Sequence, residues 1–299
     1  MIKHQQQHIV PAVYLKHFAT DSFVYVINYA DRYRKNIQRK GIRDKIFCKP
    51  NYYDLKDITL EKKFSQYESS YNEIIQLLTS RTSIGLEMKH WISQWIHMSK
   101  MRSEFVRDLV ANIFTNTEKF SFGYEFGAEE MKKRTEEFKE KGQLGGKIFQ
   151  FEMFETNEYW NKLEEITKNF LMKQWIVYVS ESKNFITSDN PGFSFTHSRQ
   201  NQLLNLPPVF GDYNTSIDKF VVHCYPLTSK MCLCLKPFSW NDLSTEDQIR
   251  DDLHKVISFE VVPDSMIEGM NDYTRMTAHK MVIANQETDL ERYLRKEKA

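Results

Sequence analysis

Apolar residues along this chain change their spacing twice, from alternation to a helical rhythm and back. Near the start, Val10 and Pro11 lead into Val13, Tyr14, Leu15 and Phe18 at helical spacing. A proline after an extended residue suits the first position of a helical turn, which sets His8 just ahead of it and turns Tyr14 and Phe18 inward. Residues 23–29, FVYVINY, then alternate and are rich in β-branched and aromatic types, the mark of a strand. Arg32, Arg34, Lys35, Arg39, Lys40 and Arg43 fill the loop expected next, and residues 46–48 form a second short strand before Pro50.

From Leu60 the period lengthens. Leu60, Phe64, Tyr67, Tyr71, Ile74, Ile75 and Leu78 recur at three and four, which predicts a helix with Thr59 at its N-cap. Residues 86–118 carry the longest helical signal, a stripe of Trp91, Trp95, Met98, Phe105 and Leu109 into which Arg102 fits by spacing. An arginine inside such a stripe either snorkels or pairs with a buried acid. Residues 129–141 read as a charged helix closed by Gly142, with Gly145 and Gly146 in a loop, and residues 156–173 as another amphipathic helix.

Alternation returns at residues 175–180, WIVYVS. Ser182-Lys183-Asn184 reads as a tight turn into a hairpin partner at residues 185–187, with residues 193–195 continuing it. A long loop is expected over 196–219, further antiparallel strands at 220–225 and 231–235 with a turn at Pro226, a charged helix near 245–257, and helix again over 267–283 and at the end of the chain.

Helices standing between runs of strands predict an α+β fold rather than a doubly wound parallel sheet. The expected plan is one domain over residues 1–299, with a helical block at about 59–173 and a β-rich part at about 174–285. Its N-terminal strands join a C-terminal antiparallel sheet.

Composition narrows this little. Hydrophobic residues at 41% and aromatics at 14% suffice for a sizeable core. The formal net charge of +1 points to no class of partner, but residues 1–50 carry ten Lys and Arg against three Asp and Glu. That basic start is a solvated face or a phosphate-facing patch. Cys48, Cys224, Cys232 and Cys234 include no C-x-x-C pair, which excludes zinc-ribbon and thioredoxin-like readings; Cys232 and Cys234 share one strand face as core thiols. No leader or membrane-length apolar run is present, so a cytoplasmic protein without a membrane partner is expected.

Several short motifs have a collective likeness. His8-x-x-Pro11-x-x-Tyr14-Leu15-x-x-Phe18, an E-x-x-F-S-x-x-E run from Glu61 to Glu68, Met101-Arg102, Phe185-Ile186-Thr187-Ser188-Asp189-Asn190-Pro191, Tyr225-Pro226-Leu227-Thr228 and a tail from Asn271 to His279 resemble the bacterial DUF4238 family, a domain of unknown function. The likeness spans nearly the whole chain, and its two most specific parts are the His8 and Asp189 motifs. The tail departs from the family pattern, in which an Arg often stands where His279 does. The resemblance implies a common fold and supplies no activity.

The polar residues of these motifs suit one chemistry. His8, Glu68, Arg102 and Asp189 are the candidate catalytic set of a metal-assisted phosphodiester hydrolase, a nuclease or nucleotide-cleaving effector of the bacterial defence or toxin kind. Glu68 and Asp189 would hold Mg2+ or Mn2+ through oxygen ligands, His8 would act as general base or phosphate contact, and Arg102 would stabilise developing charge. Tyr14, Ser188 and Asn190 are the candidate substrate contacts, and a nucleic acid or nucleotide the candidate partner. The alternative is a non-enzymatic ligand- or protein-binding module with a structural polar cluster: Glu68 pairs Arg102, Asp189 caps its own turn, and His8 caps or packs. No phosphate-cradling glycine loop and no nucleophile elbow around Ser188 is present.

Overall fold

The computed structural model describes residues 6–30, 36–50, 52, 59–122, 128–196, 221–236 and 257–295. The fold is α+β. Strand β1 (Gln6–His8) precedes α1 (Ala12–Leu15) and a 3-10 turn at Lys16–Phe18. β2 (Phe23–Asn28), β3 (Ile37–Gly41) and β4 (Cys48–Pro50) follow, so part of the basic segment expected as loop is strand. The helical block comprises α2 (Thr59–Ser69), α3 (Tyr71–Thr79), α4 (Leu86–Met101), α5 (Glu104–Phe122), α6 (Ala128–Glu155) and α7 (Asn157–Leu171). Then come β5 (Gln174–Val179), β6 (Thr187–Ser188), β7 (Phe193–Thr196), β8 (Val221–Thr228), β9 (Met231–Lys236), β10 (Ile257–Val261), α8 (Asp264–Thr277), β11 (Met281–Ala284) and α9 (Thr288–Arg295).

Among the described residues the strands form three sheets: β1-β4, β10-β5-β9-β8-β7 and β3-β2-β11-β6. The N-terminal β2 and β3 do join C-terminal strands, through β11. The five-stranded sheet is antiparallel except where β10 lies parallel to β5. The hairpin expected from residues 175–187 does not form. Both edges of β5 are taken by β9 and β10, and β6 pairs instead with β11 in the other sheet. Asn271 on α8 holds the crossing segment in place: its Nδ2 donates to the Asn184 carbonyl at 2.8 Å, and its Oδ1 accepts from the Ile186 amide at 3.0 Å.

The long helical signals resolve at two breaks. The first separates α2 from α3 at Ser70, and the second separates α4 from α5 at Arg102 and Ser103. Gln150 of α6 secures that second break, its Nε2 donating to the carbonyls of Met101 and Ser103 at 2.9 Å each. A helix end is a set of backbone groups without intrahelical partners, and Gln150 supplies partners from outside. α6 in turn runs unbroken through Gly142, Gly145 and Gly146. A Cβ on Gly142 would stand 2.6 Å from the Ala111 carbonyl oxygen and one on Gly146 2.5 Å from that of Arg107, so these glycines let α6 lie against the α5 backbone. Close packing replaces the expected loop.

The largest core cluster draws on Val10, Tyr14, Ile75, Trp95, Phe170, Trp175, Leu233 and Ile283, thus on both ends of the chain and on the helical block between. The tail expected as one helix over 267–283 is a helix, a corner at residues 278–280 and a strand. The loop and helix expected over 196–219 and 245–257 fall almost wholly outside the described residues.

Candidate catalytic cluster at the α4–α5 break

β1 is a three-residue edge paired with β4, His8 standing opposite Cys48, and this places the half-buried imidazole beside the helical block. Glu68 near the end of α2 reaches the same place. Arg102, at the α4–α5 break, donates from Nη2 to the Glu68 Oε1 at 2.7 Å. The Arg102 side chain is 4% exposed and that of Glu68 25%, so the pair lies at the border of the interior with the carboxylate on the solvent side. Arg102 also sits over the Phe64 ring, 5.1 Å from its centre. Burial pushes the His8 imidazole below its ordinary value; the Glu68 carboxylate opposes this, and Arg102 and Arg43 add to it. Glu68 and Arg102 are thus in direct contact, and His8 feels the charges of Glu68, Arg102 and Arg43.

Asp189 serves another end. Its carboxylate is buried and takes one backbone amide on each oxygen, His279 N–H on Oδ1 at 3.0 Å and Lys280 N–H on Oδ2 at 2.8 Å. Burial raises the Asp189 carboxyl above its usual range, against these hydrogen bonds. It fixes the corner between α8 and β11 and does not cap its own turn. Ser188 does that, its Oγ accepting from the Asn190 amide at 3.2 Å and donating to the Asn190 carbonyl at 2.8 Å. Asn190 donates from Nδ2 to the Thr277 carbonyl at 3.0 Å, so Asp189 and Asn190 receive the same corner side by side.

The corner carries a second charged group, of which the motifs named only His279. His279 Nε2 stands 2.7 Å from Asp108 Oδ2, and Lys280 Nζ reaches Asp108 at 3.0 Å and Glu104 at 3.1 Å. Lys49 of β4 pairs with the same Glu104 oxygen. Burial alone would raise the Asp108 carboxyl, but hydrogen bonds from His279 and Lys280 outweigh it and hold the group down at about 2. Glu104 is likewise lowered by Lys49 and Lys280 against its burial. The sequence signal was present: Glu104 and Asp108 stand four apart on the first turns of α5, hence on one face. The two groups are neighbours through the chain, Glu104 being two residues from Arg102.

The nominated substrate contacts are seated inward. Tyr14 is fully buried, its hydroxyl donating to the Pro226 carbonyl at 2.7 Å and bonded to Thr187 Oγ1 at 2.6 Å. Ser188 is fully buried and Asn190 is 4% exposed. The hydroxyls of Tyr14 and Ser188 are taken by the protein's own groups, and Asn190 uses Nδ2 in the same way, while its Oδ1 is buried without a hydrogen-bond partner among the described residues. What they do is join motifs: Tyr14 ties the N-terminal one to Thr187 and to Pro226, and Tyr71 donates to the Leu227 carbonyl at 2.7 Å.

Convergence of these motifs on one junction is what a family signature requires. A family model described as Protein of unknown function (DUF4238) matches residues 6–288. The chain belongs to this family. No curated protein and no solved structure matches it. In this DUF4238 chain no group of three or more His, Cys, Asp or Glu among the described residues is arranged to hold a metal ion. Of the two nominated metal carboxylates, Glu68 borders solvent and Asp189 has an amide on each oxygen. Among the described residues no helix is long and apolar enough to cross a membrane.

Proposed function

We propose that this DUF4238 protein hydrolyses phosphodiesters, in a nucleic acid or a nucleotide, at the cluster of His8, Arg43, Glu68 and Arg102. The observation that carries the reading is the ion pair of Arg102 with Glu68 at the border of the interior, with a half-buried imidazole, His8, within its electrostatic reach and that of Arg43. Burial lowers His8, so its imidazole is neutral at pH 7, the state a general base needs. In the proposed step a water gives its proton to His8 while its oxygen bonds to phosphorus. The bond from phosphorus to the leaving oxygen breaks, and the imidazolium returns the proton to that oxygen. Arg102 and Arg43 offset the charge that builds on the phosphoryl oxygens, and Glu68 holds the Arg102 fork in position. Mg2+ or Mn2+, if the reaction uses one, draws on Glu68 rather than Asp189.

The test is cleavage of RNA, DNA and nucleotides by the full chain with Mg2+, Mn2+ or a chelator, for wild type, Glu68→Gln and Asp189→Asn. Turnover by wild type is expected, reduced about 100-fold or more in Glu68→Gln. Asp189→Asn should lower the melting temperature while the rate per folded molecule is kept. Absence of turnover by wild type on every substrate, with no heat of metal uptake, rejects the reading.

One observation favours the second reading, a non-enzymatic binding module: most signature side chains close on the protein itself, as Tyr14 does on Thr187 and Asp189 on the 278–280 corner. On that reading all the variants move stability alone.

A further inference from the structure

Away from the cluster, a hollow of about 250 Å3 opens between the C-terminal end of α3, the turn after α1 and the β8–β9 hairpin. Its floor is apolar, with Ile75 and Leu78 of α3 and Met231 of β9. Its basic lining residues are His17, Arg81 and Lys230, and among the described residues no Asp or Glu lines it. At a water's share of roughly 30 Å3 per non-hydrogen atom, the space takes about eight such atoms, enough for an apolar chain whose head group stays outside at the open side.

Arg81 stands there in an unusual way. α3 ends in a Schellman motif, the Thr82 amide donating to the Leu77 carbonyl at 2.9 Å and the Arg81 amide to that of Leu78 at 3.0 Å. The residue after the cap in this motif turns left-handed and is usually glycine. Here it is Arg81, with φ 53°. An arginine gains nothing for the backbone in that conformation; what it adds is a cation at the mouth of an apolar hollow. Among the described residues its guanidinium makes no hydrogen bond or ion pair. Lys230 Nζ is steadied at the opposite side by the carbonyls of Ser182 and Lys183, at 2.9 and 3.1 Å. His17 is fixed by a 2.9 Å bond between its Nε2 and Asn72 Oδ1.

We propose that this hollow binds a small amphipathic anion, an apolar chain of roughly six to eight carbons ending in a carboxylate or a phosphate. The apolar part rests on Ile75, Leu78 and Met231, and the charged end meets Arg81 and Lys230. The site is separate from the His8 cluster and does not depend on any reaction there. The rival explanation of Arg81 is a countercharge to the carbonyl end of α3, which needs no ligand.

Isothermal titration calorimetry on the full chain separates the two, with octanoate, octyl phosphate, octylammonium and inorganic phosphate as probes. Octanoate or octyl phosphate should bind with a dissociation constant on the order of 10−4 M, and the tighter of them identifies the head group. Octylammonium and inorganic phosphate should bind at least tenfold more weakly. Arg81→Asn and Arg81→Gly keep a residue that tolerates the left-handed turn, so both should fold, the glycine variant melting no lower than wild type. Both should weaken the preferred anion at least tenfold. Equal binding of octylammonium, unchanged binding in both variants, or no heat with either octyl anion would overturn the proposal.

Discussion

At the scale of single residues, the conspicuous polar side chains fall into those that build and those proposed for chemistry. Asp189, Ser188 and Tyr14 build, each with its polar side-chain atoms on partners inside the fold, and Asn190 joins them through Nδ2. His8, Glu68 and Arg102 are the set proposed for chemistry, Glu68 and Arg102 being paired with each other. Asp108 belongs with the builders, and its carboxyl gives them a measurable signature. Folded, it stays ionised down to about 2, whereas an unfolded aspartate takes its proton near 3.8. The ion cluster with His279 and Lys280 therefore contributes stability that is present above about pH 4 and is lost as pH falls toward 2. Because the side chain is about one-third exposed, we discount the shift to roughly 1 kcal/mol. Denaturant unfolding at pH 7 and at pH 2.5 should show Asp108→Asn weaker than wild type by about that amount at pH 7, with the gap closing in acid. Parallel stability curves would remove the role assigned to this corner.

At the scale of elements, glycine and sheet edges account for most of what periodicity misread. The apolar rhythm located the helical block and β2 correctly, because those elements bury one face against the core and repeat at their own period. It carried straight through Arg102, where the chain breaks, since the break is held by Gln150, about fifty residues away and invisible to local spacing. It placed a loop at Gly145 and Gly146, where contact with α5 outweighs the weak helix propensity of glycine. These two neighbours offer a contrast. A Cβ on Gly145 meets only the Phe114 ring at 3.8 Å, while one on Gly146 meets the Arg107 carbonyl oxygen at 2.5 Å. Gly145→Ala should thus raise stability by about 0.5–1 kcal/mol through helix propensity, and Gly146→Ala should lower it by about 1–3 kcal/mol through overpacking. Thermal melts of the two single variants check this; shifts of the same sign would mean that α5 and α6 are not in close contact at Gly146.

At the scale of the whole molecule, the signature motifs function as a junction. Tyr14 reaches Thr187 and Pro226, Tyr71 reaches Leu227, and Asp189 and Asn190 seat the corner that sends Lys280 back to Glu104, two residues beyond Arg102. That the two ends of the chain meet was legible in the sequence, because buried strand ends rich in hydroxyl and amide groups need partners that their own segments do not supply. Which polar residue would face solvent was not legible, since Asp189 and Glu68 look alike as letters and differ only in what surrounds each carboxylate. The central claim is that His8 is the general base of a hydrolytic cluster beside Glu68 and Arg102. It is tested most directly by the rate of bis(p-nitrophenyl) phosphate hydrolysis by wild type and His8→Gln, each measured with its melting temperature. The account predicts turnover by wild type and a loss of about 100-fold or more in His8→Gln at an unchanged melting temperature. Equal rates for the two proteins would contradict it.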